Sequence, residues 1–297
     1  MKKITKAAIQ KIKNSIYKNK YINFILKKDD YYSIIMRHAT APPMNIEIDT
    51  DSENFLRLLR RVEDTWSKLG KEEVYWSVIT DNNFREINFE KNKNKFLEMG
   101  EWDVQRIKAA LSRSGIAFEK IDTALDFGCG VGRLSISMAQ KIKHVTAVDI
   151  SESHLDAANK LCKELNINNI EFKKIQSLGD IKELGEFDLV FSLIVLQHNP
   201  PPIIVEIIKL LTFCVKPGGH IYIQVPTYSK DYNYSVKDHL KTEAKGMEMH
   251  VIPEYILYDT LYNCGMNILE VTEDGAVGDL NMVSKAVLAK KRNSFCD

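Results

Sequence analysis

The chain has 297 residues, enough for one α/β domain with an extension, and its 44% hydrophobic content can supply a sizeable core. A formal net charge of +1 argues against a nucleic-acid-binding surface, which usually makes a domain strongly basic. Five cysteines, an odd number without CxxC spacing, indicate neither a disulfide framework nor a zinc site, and we predict no metal ligands.

The amino-terminal segment is the one anomaly of composition. Residues 1–28 hold nine lysines before the first acidic residue, and four isoleucines are spaced as one face of a helix: Ile4, Ile9, Ile12 and Ile16. This pattern fits either a helix on a membrane surface or a solvated tail, and both readings stay open. Because no continuous apolar stretch occurs there, we expect a cytoplasmic protein with at most peripheral membrane contact. Residues 1–53 are therefore predicted to be a basic segment and a linker.

Residues 54–118 are predicted to form a helical extension. Apolar side chains recur at helical spacing from Phe55 to Leu69, and the pattern stops near Gly70. A further helical pattern around Ile107 leads towards the first apolar strand. From there onward, short apolar runs alternate with helical patterns, which predicts a doubly wound α/β sheet.

A glycine-rich turn is the most informative feature of the chain. Residues 125–133, Leu-Asp-Phe-Gly-Cys-Gly-Val-Gly-Arg, join a buried strand to a helix through three alternating glycines. Asp149 follows 17 residues after Gly132, at the end of the next apolar run. Because α/β sheets bind ligands at the carboxyl ends of their parallel strands, we expect Asp126 and Asp149 to lie in a site for a nucleotide-like cofactor.

The residues around the turn indicate which class of cofactor it can bind. In the dinucleotide-binding fingerprint, a third glycine occupies the position at which this chain has Arg133. A pyrophosphate would bind the helix amino terminus, and the carboxylate of Asp126 would oppose its charge. Asp126 would bind a positively charged group of a cofactor better than it would tolerate a pyrophosphate.

Residues 125–133 resemble motif I of the class I S-adenosylmethionine-dependent methyltransferases, whose cofactor carries an ammonium and a sulfonium. Two further segments match the family in chain order. Residues 187–201 resemble its fourth strand and the following loop, and residues 216–219 resemble the turn before its fifth strand. The resemblance covers roughly residues 100–290.

This resemblance implies a Rossmann-like, mostly parallel seven-stranded sheet with an antiparallel terminal hairpin. Residues 119–297 would form the methyltransferase domain, residues 266–271 and 282–289 its hairpin, and residues 54–118 a lid over the cofactor. Three short segments within the extension are similar to bacterial methyltransferases of glycan or specialised small-molecule biosynthesis: residues 66–70, 75–77 and 96–100.

The family resemblance also implies S-adenosylmethionine as the cofactor and a set of residues that bind it. These are Asp126, Gly128, Cys129, Gly130, Gly132, Asp149, Ile150, Gln176 and Ser192. Asp126 would orient the methionine end, and Asp149 would accept hydrogen bonds from both ribose hydroxyls. Gln176 stands where the family often has an acidic residue near the adenine amine. Because Asp149 should lie in an open crevice, we expect it to contribute little to the folded structure.

Methyl transfer from a sulfonium is a single displacement, so positioning is essential and a general base is optional. If the acceptor is a hydroxyl, His198 and His250 are the candidate bases, because both lie in segments expected to edge the pocket. We expect a small-molecule or glycan-precursor acceptor, covered by residues 227–247. Methylation of nucleic acid or protein, and a noncatalytic role as a cofactor-binding partner, remain alternatives.

Residues 199–202, Asn-Pro-Pro-Pro, resemble the signature of amino-group methyltransferases that act on nucleobases and protein amides. Here the motif comes several residues after the strand, and no aromatic residue follows it. Proline is tolerated in the first turn of a helix, so we predict a helix start at this point. Nucleic acid is therefore not the expected partner.

Overall fold

The structure is a computed structural model that describes residues 41–244, 246–277 and 282–293. The predicted basic helix in residues 1–28 lies outside the described residues. The chain from Met44 onward groups as one compact unit. Within the described part, no helix is both long and apolar enough to cross a membrane.

Helices and strands alternate as the apolar pattern predicts. The α-helices are α1 (Ser52–Glu72), α2 (Glu86–Arg113), α3 (Arg133–Ala139), α4 (Glu152–Glu164), α5 (Pro201–Phe213), α6 (Val236–His239) and α7 (Glu254–Asn263). The strands are β1 (Thr123–Phe127), β2 (His144–Asp149), β3 (Ile170–Lys174), β4 (Phe187–Ser192), β5 (Val215–Ser229), β6 (Met266–Asp274) and β7 (Met282–Lys291).

The seven strands form one sheet in the order β3-β2-β1-β4-β5-β7-β6. Strands β1 to β5 pair in parallel, and β7 runs antiparallel to both β5 and β6. The predicted fold class and its antiparallel terminal hairpin are thus confirmed. The strand order reverses at β1, between β2 and β4, and this switch opens a crevice at the carboxyl ends of the strands.

Apolar side chains fill both faces of the sheet. Buried residues of α5 and α7 pack on one face together with Leu58 of α1. The carboxyl-terminal part of α2 packs with α3 on the other face, through Ile107, Leu111 and Met138. The aromatic residues of the extension pack against Ile136 of α3 and Leu161 of α4, and within the extension the Tyr75 and Phe89 rings stack with centroids 3.4 Å apart. The extension is therefore part of the compact unit.

The ends of the helices follow from local sequence. Asp51 precedes α1 and its side chain accepts a hydrogen bond from the backbone N–H of Asn54 at 2.9 Å, as an N-cap does. Helix α5 begins at Pro201, with Pro200 at the N-cap position. The predicted helix start in residues 199–202 is thus confirmed.

Candidate active site

A large cavity lies at the carboxyl ends of β1, β2 and β4. It encloses about 1290 Å³, counting the solvent at its mouth, which is ample for a nucleoside cofactor and a small acceptor. Most of the predicted site residues line it: Asp126, Gly128, Cys129, Gly130, Asp149, Ile150, Gln176 and His198. Among the described residues, its wall does not include Gly132, Ser192 or His250.

The glycine loop between β1 and α3 is held by β2. The backbone N–H groups of Gly128 and Cys129 both donate to the carbonyl of Val148, at 2.8 and 2.9 Å. Gly128, Gly130 and Gly132 all have positive φ, and Gly132 is the N-cap residue of α3. Residues with a side chain are strained in that conformation, so the three glycines are required for the turn itself. Burial raises the pKa of the Cys129 thiol well above its usual value, which keeps the thiol protonated.

Asp149 ends β2, and its carboxylate is used by the protein itself. One oxygen, Oδ2, accepts from the N–H of Gly130 at 2.8 Å, and Oδ1 accepts from the N–H of Ser151 at 2.9 Å. The expectation that Asp149 contributes little to the structure is therefore wrong. It fixes the glycine loop against the start of α4, and Asp149 also lines the cavity.

Asp126 lies one residue before the end of β1 and is almost fully buried. Burial raises the pKa of its carboxyl to about 7, although a hydrogen bond from the Ser135 hydroxyl and the charge of Arg133 act in the opposite direction. The Ser135 oxygen lies 2.6 Å from Asp126 Oδ2. A buried carboxyl with this pKa is suited to pair with a cationic ligand.

Arg133 begins α3 and is buried beside the same cavity. Its Nη1 donates to Asp103 of α2 at 2.6 Å, which joins the extension to the glycine loop. Its buried Nε has no hydrogen-bond partner. In the sequence, Arg133 is notable only because it departs from the dinucleotide fingerprint. Its position in the cavity wall is not predicted by that pattern.

His198 lies on the opposite wall, in the short 3-10 helix Leu196–His198 after β4. Its Nδ1 lies 3.0 Å from the carbonyl oxygen of Glu248. A carbonyl can only accept, so Nδ1 carries the ring proton and Nε2 keeps a lone pair. Burial lowers the pKa of His198 to about 4, so the ring is neutral at pH 7. The edge of the Trp66 ring, in α1, packs against it with centroids 5.0 Å apart.

His250 is placed behind His198, away from the cavity wall. Its Nδ1 lies 2.8 Å from the hydroxyl of Tyr232, and its backbone N–H donates to the carbonyl of Gln197 at 2.7 Å. The described part of the predicted cover, residues 227–247, likewise does not line the cavity. Ser192 is fully buried, and its hydroxyl donates to the carbonyl of Phe127 at 2.9 Å, which joins β4 to β1.

The loop after β4 is fixed by a buried glutamine that the sequence reading did not single out. Gln224 of β5 accepts from the backbone N–H of Ile194 at 2.8 Å and donates to Gln197 Oε1 at 3.1 Å and to Ser284 Oγ at 2.6 Å. Ile194 has φ of 61°, a strained value for a β-branched residue. Strain of this kind persists where surrounding contacts enforce it, and such positions cluster at functional sites. In the sequence, Gln224 is the one polar residue inside the apolar run of β5, and this position is the signal that could have identified it.

Helix α1 contributes apolar residues to the cavity wall and also contacts the start of α4. Val62 and Trp66 line the cavity, and the carboxyl-terminal Gly70 meets the start of α4. A Cβ at Gly70 would lie 2.4 Å from the hydroxyl oxygen of Ser151 and 3.0 Å from His154. Only glycine permits this close approach of the two helices.

Comparison with known proteins agrees with this geometry. Residues 124–219 match a family described as "Methyltransferase domain". A ubiquinone biosynthesis O-methyltransferase of Acinetobacter baumannii is 29% identical over 167 residues, which are 53% of this chain and 68% of that protein. The protein of the same description from Acinetobacter baylyi is 32% identical over 125 residues, 41% of this chain and 50% of that one.

Among solved structures, magnesium protoporphyrin IX methyltransferase from Synechocystis with bound SAH superimposes with a TM-score of 0.55. The two are 22% identical, and the match covers 77% of this chain and 98% of the other. Three observations indicate the same family: the strand order, the glycine loop between two strand-end aspartates, and the matched family model. The chain thus contains a class I S-adenosylmethionine-dependent methyltransferase domain.

Proposed function

We propose that the protein transfers the methyl group of S-adenosylmethionine to a hydroxyl of a small-molecule or glycan-precursor acceptor. The observation that carries the proposal is the position of His198. His198 lines the same cavity as Asp126 and Asp149 at the strand ends, and its unprotonated Nε2 lies 3.4 Å from the side-chain amide nitrogen of Gln197. The curated relatives are named as O-methyltransferases, which supports oxygen as the acceptor atom.

The cofactor end follows from the charges of the site. Asp149 would accept from the two ribose hydroxyls with the lone pairs that it does not use for the loop, and Asp126 would pair with the ammonium of the methionine end. Arg133 would offer its unpaired Nε to the carboxylate of the same methionine end. Ile150 would pack on adenine, and Gln176 would accept from its amine.

The reaction is a displacement at the methyl carbon. A bond forms between the acceptor oxygen and that carbon while the carbon–sulfur bond breaks, and S-adenosylhomocysteine leaves. The hydroxyl proton passes to Nε2 of His198, whose own proton stays on Nδ1 against the Glu248 carbonyl. Val62, Trp66 and Ile207 line the wall near His198, so the acceptor has an apolar surface beside its hydroxyl.

The proposal is tested by offering the purified chain S-adenosylmethionine with a labelled methyl group and a panel of acceptors. Hydroxylated aromatics, polyprenyl-linked sugars and sugar nucleotides are compared with their methyl ethers and with matched amines. We expect label in an O–CH₃ group of at least one hydroxyl compound and none with its ether. Label on nitrogen alone, or no transfer to any acceptor, would contradict the proposal.

Cofactor affinity is expected to depend on pH through Asp126. The pKa of its carboxyl is about 7 in the free protein, with Asp149 and Arg133 as its charged neighbours. A bound cation favours the carboxylate, so binding lowers this pKa and releases a proton at low pH. S-adenosylmethionine should therefore bind about tenfold more weakly at pH 6 than at pH 8.

Calorimetry at both pH values, in buffers of different ionisation enthalpy, measures the affinity and the proton release together. Asp126→Asn is the control, because it keeps the shape and removes the titration. Equal affinity of the unaltered protein at pH 6 and pH 8 would exclude the ion pair between Asp126 and the cofactor.

Cofactor binding is expected to need no metal ion. Asp126 and Asp149 already accept hydrogen bonds from protein groups, and the cavity wall in the described residues holds no cluster of metal-ligand side chains. The dissociation constant for S-adenosylhomocysteine should be unchanged when a chelator is added. A loss of binding with chelator that added magnesium restores would overturn this prediction.

A further inference from the structure

Three metal-ligating side chains meet behind His198, outside the cofactor cavity. They are His239 at the end of α6, and Glu248 and His250 in the segment that leads to α7. Glu248 Oε2 lies 3.4 Å from His239 Nε2 and 3.9 Å from His250 Nε2. The candidate ligand atoms all lie within 4.8 Å of one another.

Both imidazoles point an unpaired nitrogen into this cluster. His250 is only 5% exposed, and neither its Nε2 nor the buried Nε2 of His239 has a hydrogen-bond partner. A buried polar atom without a partner costs about 1–3 kcal/mol, so two of them facing one carboxylate indicate a missing ligand. The other ring nitrogen of His250, Nδ1, lies 2.8 Å from the Tyr232 hydroxyl. That contact lets Nδ1 carry the proton, which leaves the Nε2 lone pair free, as in metal-binding histidines.

The donor set determines the kind of ion. Two imidazoles and one carboxylate favour a transition metal such as Zn²⁺, whereas Mg²⁺ and Ca²⁺ prefer oxygen ligands throughout. Zinc binds its ligands at about 2 Å, so the corners of its tetrahedron are about 3.4 Å apart. The distance from His239 to Glu248 already equals this value, and the distance from His250 exceeds it slightly. We propose that His239, Glu248 and His250 bind one Zn²⁺ ion, with water in the fourth position.

Arg61 of α1 is the one cation that contacts this carboxylate in the described residues. Its Nη2 lies 2.5 Å from Glu248 Oε1, and its Nε lies 3.2 Å from Oε2. Arg61 Nη2 makes the closer contact, to Oε1, while Oε2 accepts the longer contact from Nε and keeps a second lone pair for a metal ion. The charge of Arg61 lowers the affinity for any cation without occupying the two histidine nitrogens.

The proposed zinc site is structural with respect to methyl transfer. None of its three ligands lines the cofactor cavity. However, the backbone carbonyl of Glu248 accepts the hydrogen bond from Nδ1 of His198. A metal ion on the Glu248 side chain would hold this carbonyl in place, so it would stabilise the segment before α7 and the orientation of His198. The site does not depend on the identity of the acceptor.

The full chain, stripped of metal by a chelator and dialysed, is titrated with Zn²⁺ by calorimetry. Co²⁺ is used in parallel, because its visible absorption reports nitrogen ligands. We expect one zinc ion per chain, a rise in the melting temperature, and a cobalt spectrum abolished by excess zinc. We expect zinc binding to weaken by more than about 100-fold in each of three variants, His239→Gln, Glu248→Gln and His250→Gln. Loss of a residue that only orients a metal ligand would weaken binding by about 10-fold to 100-fold.

His144→Gln is the matched control, because His144 begins β2 at the opposite end of the sheet. His239 is the safest of the three positions, since α6 lies at the surface and the histidine side chain is partly exposed. Melting curves of the metal-free variants show whether each is folded. Absence of bound zinc, or equal zinc affinity in the folded His239→Gln protein and in the control, would overturn the proposal.

Discussion

Replacing Asp149 with alanine is expected to raise the dissociation constant for S-adenosylhomocysteine by about 30-fold to 1000-fold. The ribose hydroxyls lose two bonds to a charged acceptor, each worth about 1 to 2 kcal/mol. The variant also loses the contacts with the N–H groups of Gly130 and Ser151, so its melting temperature without ligand should fall by a few degrees. Calorimetry and thermal melts measure the two effects separately.

Two controls separate ribose recognition from distortion of the loop. Asp149→Asn keeps an oxygen acceptor and should lie between the alanine variant and the unaltered protein. The 2′-deoxy analogue of the cofactor product removes one hydroxyl from the other side of the same contact. It should bind more weakly than S-adenosylhomocysteine to the unaltered protein and about equally to Asp149→Ala, because the partner is already gone. An undiminished difference between the two ligands in Asp149→Ala would exclude the ribose contact.

Replacing His198 with asparagine is expected to lower kcat by about 100-fold to 10,000-fold, the usual contribution of a general base. The asparagine amide can still donate to the Glu248 carbonyl, so the variant keeps the hydrogen bond of Nδ1 and loses only the lone pair of Nε2. Cofactor affinity should not change, since Asp126 and Asp149 lie on other strands. Steady-state kinetics with the acceptor found above, and calorimetry with the product cofactor, provide the two readings.

His144→Asn serves as the control for this series. It lies at the amino end of β2, away from the cavity, and should leave kcat unchanged. A His198→Asn protein with normal kcat would remove the base from the mechanism and leave positioning as the main source of acceleration. A fall in both kcat and cofactor affinity would instead indicate a structural role for His198.

The sheet and the positions of Asp126 and Asp149 at the strand ends could be predicted because they depend on local patterns. The glycine loop needs positive φ at three alternating positions, and only glycine provides this freely. The apolar strands and the two aspartates at their ends follow from alternation along the chain. Asp126 and Asp149 are accordingly where the sequence placed them, on neighbouring parallel strands.

The surroundings of His198 could not be predicted in the same way, because the contacts there join residues far apart in sequence. His198 and Glu248 are brought together by the return of the chain after β5. The same return places His239 beside His250, although their sequence spacing is not that of a known metal motif. The paired role of Asp149 was missed for a related reason, since the amide of Gly130 reaches it only when the loop has folded.

Helix α1 contacts the site at two points, and Gly70 is one of them. One end of this helix touches Ser151, the residue whose amide Asp149 holds, and four residues earlier Trp66 packs on His198. One turn of an α-helix is about 5.4 Å long, so the two contacts are separated by little more than one turn of α1. A side chain at position 70 would have to displace the side chains of Ser151 and His154 or shift α1, and Trp66 with it. The shape of the cavity wall around Trp66 and His198 therefore depends partly on the absence of a side chain at Gly70.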